Sequence, residues 1–368
     1  MRFFHVAGDQ FTELAQLPAE LPAQGFIWAS YGRGEFESQV GEAQAALQRW
    51  HCGSLVDLHV SDLLNTQLPS HFDYTSWYDL LVFRRLAALP SGEPAPSEAE
   101  LGTLAGAERL LKAIDTSPVG FAVFDHVLLT VHPGDCLVRD FFADKLGKLT
   151  EGRDFRDFRG AGRLPTSPAE LMLRMVNHMV DSYLDLRRLL TRQLAGLQKL
   201  LLDTHHNFDN WPMLLASRDA LHRLEDTCED QRSAVQEWID ALDEWPDSAD
   251  ANTQRERELL RVRSRDVLEH IERVLTHVRR MESSAESAVQ LHFSALGHRT
   301  NGIMRTLTVL TAIFLPLNLI TGIFGMNFDT LPLIHRAVGF WIAVGLMAAL
   351  GLGLGAFFWR KRYLGTQR

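Results

Sequence analysis

Two apolar runs near the C-terminal end constrain this chain more than any other feature. Leu307 to Phe324 reads LTVLTAIFLPLNLITGIF, Ala337 to Trp359 reads AVGFWIAVGLMAALGLGLGAFFW, and neither carries a charge. A helix needs about 20 apolar residues to cross a hydrocarbon core of about 30 Å, so both runs are close to spanning length. A buried hairpin of core helices fits poorly, because core helices this long keep polar residues on an outer face. Trp341 and Trp359 lie near the ends of the second run, where amphipathic rings favour a membrane interface. The basic cluster Arg360-Lys361-Arg362 follows, and the positive-inside rule sets that end in the cytoplasm. Two spans then put both termini and the large preceding part in the cytoplasm, as in a multi-pass protein of a bacterial-type inner (plasma) membrane. The loop from Gly325 to Arg336 faces outward.

The two runs differ in character. The second is uniformly apolar and rich in Gly and Ala, which suits a helix between lipid and a neighbour. The first continues a stripe of Asn301, Met304, Thr308, Thr311, Leu315, Asn318 and Gly322, spaced by threes and fours along one helix face. Asn318 is expensive in lipid and requires protein or water beside it. A bond to a neighbouring helix and a wet path both meet that need, and the length of the stripe favours the path.

Charge separates the chain into two parts. Residues 301–368 hold six basic residues and one acid, Asp329, for +5, so the remainder must carry −14 to reach the total of −9. That acidity argues against nucleic-acid binding through phosphate neutralisation. Cys52, Cys136 and Cys228 lie far apart and offer neither a CxxC zinc clamp nor a disulfide framework, which suits a reducing compartment. The opening MRFFHVAGDQ lacks a signal-peptide pattern. No GxxxxGK[ST] loop is present, so ATP-driven pumping is not expected, and no recognisable catalytic order of Ser, His and Asp points to an enzyme.

Three long helical patterns precede the spans. The first opens with Ser167 as N-cap, Pro168 at the first helical position and Glu170 completing a capping box. Its apolar stripe is Met172, Val176, Met179, Tyr183, Leu186, Leu190, Leu197 and Leu200. The second runs from near Pro212 to before Pro246, with a break at Asp247-Ser248-Ala249-Asp250. The third starts near Ala251 and enters the first span without a stop signal, a rod of about 110 Å if wholly helical, with Pro316 expected to bend it. Its heptad-like seam is Leu260, Val267, Ile271, Val274, Val278, Met281, Ala285 and Ala288. Residues before 166 alternate short β-type runs, Met1–Val6, Phe26–Ser30, Leu80–Arg84, Val119–Phe124 and His126–His132, with helical patterns at Glu35–Trp50 and Val60–Asn65 and a loop at Pro90–Glu98. The fold class is thus an α+β cytoplasmic domain with long stalk helices and two transmembrane helices. The expected divisions are an α/β domain at 1–165, a helical pair at 166–250, a stalk helix at 251–306, a first span at 307–325, an outward loop at 326–336, a second span at 337–359 and a basic tail at 360–368.

Gly325-Met326-Asn327, placed directly after a first span and before a short loop and a C-terminal second span, resembles the signature of the CorA family of divalent-cation channels. Asn301-Gly302-Ile303-Met304-Arg305 and Ile313-Phe314-Leu315-Pro316-Leu317 are similar to the family's pore-helix start and midmembrane proline segment. His59-Val60-Ser61-Asp62-Leu63-Leu64-Asn65, followed by Tyr74 and Tyr78, resembles its N-terminal pattern, as does the hairpin ending Leu128-Leu129-Thr130-Val131-His132. The resemblance implies a homopentameric funnel in the membrane lipid, with five first spans around a pore and the second spans outside them.

The cargo it implies is chiefly Mg²⁺, with Co²⁺ and Ni²⁺ as other substrates, and it implies no separate cofactor. Mg²⁺ dehydrates reluctantly, so a ring of neutral oxygens that grips its waters is suitable: Asn327 amides with the carbonyls of Gly325 and Met326 as selectivity filter. Gly and Asn are also ordinary helix C-cap residues, and both readings hold together. Within the pore, Asn318 and Asn301 would form polar rings, and Met304, Leu307 and Leu315 apolar constrictions that gate by dewetting. The loop departs from the family: the usual Glu is missing, and Asp329 alone remains to attract cations, opposed by Arg336. Feedback by cytoplasmic Mg²⁺ as a regulatory ligand would fall on Asp266, beside Glu269 and His270. A merely solvated charged face explains those three equally well.

Two other readings stay open. ZntB-like zinc transport, in either direction and with possible proton coupling, uses the same architecture. The intact signature disfavours it, and His205-His206, His270, His277 and His292 form no HxH or CxxC clamp. A sensor or scaffold without transport is disfavoured by the polar stripe.

Overall fold

The computed structural model describes residues 1–88, 114–150, 163–202, 211–244, 251–326 and 337–361. It divides into two units, Met1–Glu286 and Ser287–Arg368. The expected loop at Pro90–Glu98 and the break at Asp247–Asp250 lie outside the described residues.

In the first unit a seven-stranded sheet has the order β2-β1-β3-β9-β8-β5-β4. The strands are β1 (Arg2–Ala7), β2 (Gln10–Leu14), β3 (Phe26–Gly32), β4 (His71–Tyr74), β5 (Asp79–Arg84), β8 (Pro118–Val123) and β9 (Val127–His132). A separate small pair joins β6 (Ala87–Ala88) to β7 (Ile114–Asp115). Only β3 and β9 run parallel among the sheet's pairs. The expected hairpin is β8–β9, with Val123 opposite Leu128 and a turn closed by Phe124 N–H donating to Val127 O at 2.9 Å. The outermost strands, β2 and β4, had no strand signal in the sequence. Their residues QFTEL and HFDY are mostly exposed or half-buried, as suits edge strands with little apolar surface to alternate.

Period-two alternation sorts the sheet's side chains between two cores. Ile27, Ala29 and Tyr31 of β3 and Val127, Leu129 and Val131 of β9 meet α1 (Arg33–Arg49) and α2 (Asp57–Leu64) on one face. Phe26 and Trp28 of β3, Leu128 of β9 and Val119, Phe121 and Val123 of β8 face a larger helical layer. That layer comprises α3 (Leu137–Thr150), α4 (Pro168–Asp181), α5 (Tyr183–Leu202), α6 (Trp211–Glu244) and the first part of α7 (Ala251–Phe324). One continuous core joins Phe121, Met172, Trp238, Ile271 and Met281. The helices expected to form divisions of their own from residue 166 onward therefore share their packing with the sheet, as far as Met281.

The helical pattern that opens at Ser167 is two helices rather than one. Ser182 interrupts it, its hydroxyl donating to Met179 O at 2.5 Å and reaching Leu86 O at 3.2 Å, a local bond that competes with helix continuation. The cap also differs in detail. Ser167 Oγ accepts from Glu170 N–H, but the Glu170 carboxylate accepts from Thr166 N–H at 2.8 Å rather than from the cap residue itself. Trp238 Nε1 donates to Ser264 Oγ at 3.0 Å and ties α6 to α7.

In the second unit α7 continues as helix through Pro316, and α8 (Ala337–Arg360) lies against it. Gly351 brings α8 close: a Cβ there would stand 3.8 Å from Leu317 Cδ1. Both helices are long and apolar enough to cross a membrane, and only 6 % of each apolar window is buried within the chain. A soluble core hairpin would bury most of such a surface, so the expected spans face lipid or other protein.

Candidate ion pathway and cation site

The face α7 turns to α8 is set by sequence. Val309 is buried and Ala312, Ile313, Pro316, Leu317, Ile320 and Phe324 are half-buried. At 100° per residue this face is centred about 150° from the polar stripe. Asn301, Met304, Leu307, Thr308, Thr311, Leu315, Asn318 and Gly322 are all exposed. Every one of the proposed path residues on α7 is thus left open on the side away from α8.

The stripe's hydroxyls are already arranged. Thr308 Oγ1 donates to Met304 O at 2.8 Å and Thr311 Oγ1 to Leu307 O at 2.9 Å. The donor being used within the helix, each oxygen keeps its lone pairs for water. Asn318 has no side-chain partner among the described residues. The chemistry offered along this face is neutral oxygen separated by the apolar side chains of Met304, Leu307 and Leu315.

At the end of α7, Gly325 N–H donates to Thr321 O at 2.9 Å and Met326 N–H to Ile323 O at 3.3 Å. Gly325 closes the last turn of the helix, and a Cβ on it would lie 2.9 Å from Thr321 O. Asn327 and Asp329 lie outside the described residues, as do Arg336 and the rest of the loop.

The triad Asp266, Glu269 and His270 is only partly assembled. Asp266 Oδ1 and His270 Nε2 are 3.9 Å apart, one helical turn along α7. Glu269 is instead tied to Arg273 at 2.5 Å. Two residues that sequence reasoning missed complete the cluster from α4. Asp181 Oδ1 is 3.6 Å from His270 Nδ1, and Asn177 Nδ2 donates to Asp181 Oδ2 at 3.3 Å. Burial pushes the Asp181 carboxyl above its ordinary range, with Asp266 adding to the rise and His270 opposing it. The Asn177 Oδ1 and His270 Nδ1 atoms are buried without a hydrogen bond. One unmet amide oxygen, that of Asn177, and the carboxyl groups of Asp181 and Asp266 are the donor types a divalent cation such as Mg²⁺ takes. The one signal for them was the pair Asn177 and Asp181, polar residues one turn apart beside the apolar stripe of α4.

The other singled-out histidines have packing partners. His277 Nδ1 meets the Tyr183 hydroxyl at 2.9 Å, and His292 is buried. His205 and His206 lie outside the described residues. His59, from the N-terminal pattern, is held between the Tyr78 hydroxyl at 2.8 Å and Asp73 at 3.0 Å, and the same hydroxyl accepts from Val56 N–H. This motif fixes α2 to the sheet.

An apolar spanning pair, a polar helix face and the Gly325-Met326 terminus define a membrane protein built around a helix that presents an ion-compatible surface. The profile of the CorA-like Mg²⁺ transporter protein family matches residues 54–362, and the chain belongs to that family. It is 34% identical over 96 residues to the putative metal ion transporter YfjQ of Bacillus subtilis, and 28% identical over 100 residues to the cobalt/magnesium transport protein CorA of Thermotoga maritima. These matches take in 26% and 27% of this chain and only 30% and 28% of those relatives. The fold is similar to the CorA magnesium transporter of Methanocaldococcus jannaschii, with a TM-score of 0.71 at 18% identity over 98% of both chains. It is also similar to the full-length CmaX protein, with a TM-score of 0.63 at 16% identity over 98% of this chain and 97% of that one.

Proposed function

We propose that this chain is the protomer of a homopentameric channel passing hydrated divalent cations, chiefly Mg²⁺ and also Co²⁺ and Ni²⁺, across an inner or plasma membrane. The observation that carries the reading is the exposed polar stripe of α7, opposite the face that packs α8. Five such stripes around an axis would enclose a path of neutral oxygens, with α8 outside. Asn327 amides and the carbonyls of Gly325 and Met326 would hold the ion through its waters, which spares Mg²⁺ the cost of dehydration. Asp329 would draw cations to the mouth. Transport would be passive, since a divalent ion entering an interior at −100 mV gains about 4.6 kcal/mol.

Asp266, His270, Asp181 and Asn177 would bind the transported cation on the cytoplasmic side and hold the closed state, giving feedback. Only carboxylate and amide oxygen from these residues suits Mg²⁺; the imidazole would act by hydrogen bonding a coordinated water.

The test is flux into proteoliposomes with Mg²⁺, Co²⁺ or Zn²⁺ outside, with and without a pH gradient. We expect Mg²⁺ and Co²⁺ entry that follows the membrane potential and is abolished by Asn327→Ala with the pentamer intact. Entry of Zn²⁺ alone, driven by the pH gradient, would replace this reading with zinc transport.

A further inference from the structure

Away from the path and the Asp266 cluster, α6 and α7 bring together a third group of donors. His222 and Glu225 stand three residues apart on α6, so they share a face. Glu282 reaches them from α7. One ligand atom from each lies within 4.8 Å of the others. We propose that His222, Glu225 and Glu282 form a binding site for a borderline transition-metal cation, Zn²⁺, Co²⁺ or Ni²⁺, which staples α6 to α7.

The donor types decide the class of ion. An imidazole with two carboxylates is the ligand set of zinc-type sites that keep a fourth position for water, whereas Mg²⁺ prefers oxygen donors alone and retains most of its shell. In a tetrahedral zinc site, neighbouring donors stand about 3.3 Å apart. The observed spread closes to that value by side-chain rotation, since His222 is exposed and both glutamates are half-buried.

Local charge also favours a cation. Glu225 and Glu282 bring carboxylate oxygens within 4.8 Å of each other, a meeting of like charges unless a proton or a metal lies between them. Arg279 Nε donates to Glu225 Oε1 at 2.6 Å and the same guanidinium pairs with Glu229. Arg218 pairs with Glu286 at 3.3 Å. Four carboxylates thus face two guanidinium groups, leaving an excess of two negative charges. Arg279 holds Glu225 at Oε1, and its hydrogen bond fixes the carboxylate in the manner of an outer-shell support.

The site is separate from the cluster of the proposed function. Glu282 lies 12 residues beyond His270 on α7, about 18 Å at the helical rise. Metal there would regulate by holding two cytoplasmic helices together and would respond to a different ion from the one proposed to gate the pore. The inference does not depend on what the pore conducts.

The experiment uses the full-length protein in detergent, stripped of metal and titrated with Co²⁺ alone. Ligand-field absorption reports the geometry, and equilibrium dialysis counts the ions bound. We expect an absorbing Co²⁺ site that survives excess Mg²⁺, is lost or weakened about 100-fold in both His222→Ala and Glu282→Gln, and persists in Asp266→Asn. Circular dichroism checks that the helices of both variants are intact. Equal Co²⁺ stoichiometry and spectrum in wild type and the His222→Ala, Glu282→Gln double variant would overturn the site, as would displacement of Co²⁺ by equimolar Mg²⁺.

Discussion

His270 Nδ1 on α7 stands 3.6 Å from Asp181 Oδ1 on α4, too far for a hydrogen bond, and the buried ring nitrogen has none. An ion or water that enters there gains partners already in place. Burial raises the Asp181 carboxyl, and the positive charge of a neighbour opposes that rise. Asp181→Asn removes one of two carboxylates and is expected to weaken inhibition by internal Mg²⁺ about tenfold. Flux measured against internal Mg²⁺ checks this. An unchanged inhibition curve would reduce the cluster to packing.

Glu170 sets a pH dependence of stability in the first unit. Burial pushes its carboxyl up, but the Thr166 N–H, Arg263 and Arg174 outweigh that and hold it down at about 2, against 4.5 ordinarily. A folded-state value below the unfolded one stabilises the protein above the unfolded value, and that gain is lost as pH falls from about 4.5 to about 2. Since Glu170 is 3% exposed, the contribution at neutral pH is on the order of 3 kcal/mol. Glu170→Gln should lower the thermal midpoint at pH 7, and the difference from wild type should shrink toward pH 2. Unfolding followed by tryptophan fluorescence across that range tests both statements.

How much of this was legible in the sequence follows from which forces act locally. β3, β5, β8 and β9 were readable because both their faces are buried and they show as unbroken apolar runs, and the long helices because each buries an apolar stripe whose period shows in the residues. The edge strands β2 and β4 bury little and left no period. The break at Ser182 rests on a hydroxyl that bonds Met179 O locally and also reaches Leu86 O across 96 residues, and the second contact is one no local pattern encodes. The same limit applies to the cation cluster. Asp266 and His270 were named from one helix, while Asp181 and Asn177 come from another through tertiary packing. Glu269 sits beside them in sequence, yet its nearest opposite charge, Arg273, one turn along, claims it.

Asn318 tests the polar stripe. Its side chain is exposed and unpartnered among the described residues, between Leu315 and Gly322 on the same helix face. If the stripe lines a wet path, Asn318→Leu removes the amide that wets it and extends an apolar constriction, which gates by dewetting. Cation flux should fall at least about tenfold, while membrane insertion, which the change makes less costly, is preserved. Asn318→Gln, which keeps the amide, should retain most of the flux. Equal flux in the Leu variant and wild type would mean that this face meets lipid or a neighbouring helix.

Gly325 is where a single methyl group separates capping from permeation. Its amide donates to Thr321 O at 2.9 Å, so the last turn of α7 closes tightly. A Cβ at this position would sit 2.9 Å from the same carbonyl oxygen, a backbone atom that cannot rotate aside. Gly325→Ala must therefore open the final turn by some tenths of an ångström. The displacement passes to Met326 and on to Asn327, whose amide is proposed to grip the ion's water shell. In the proposed ring of five copies, a shift in each copy would move every oxygen at once. Gly325→Ala is expected to leave folding and assembly unchanged and to lower Mg²⁺ flux about tenfold or more, on the scale that misplacement by a fraction of an ångström has for positioned groups. Gly345→Ala on α8, where a Cβ meets nothing within 4 Å, is the control and should conduct normally. Should both variants conduct alike, the turn at Gly325 would be a helix cap with no part in holding the ion.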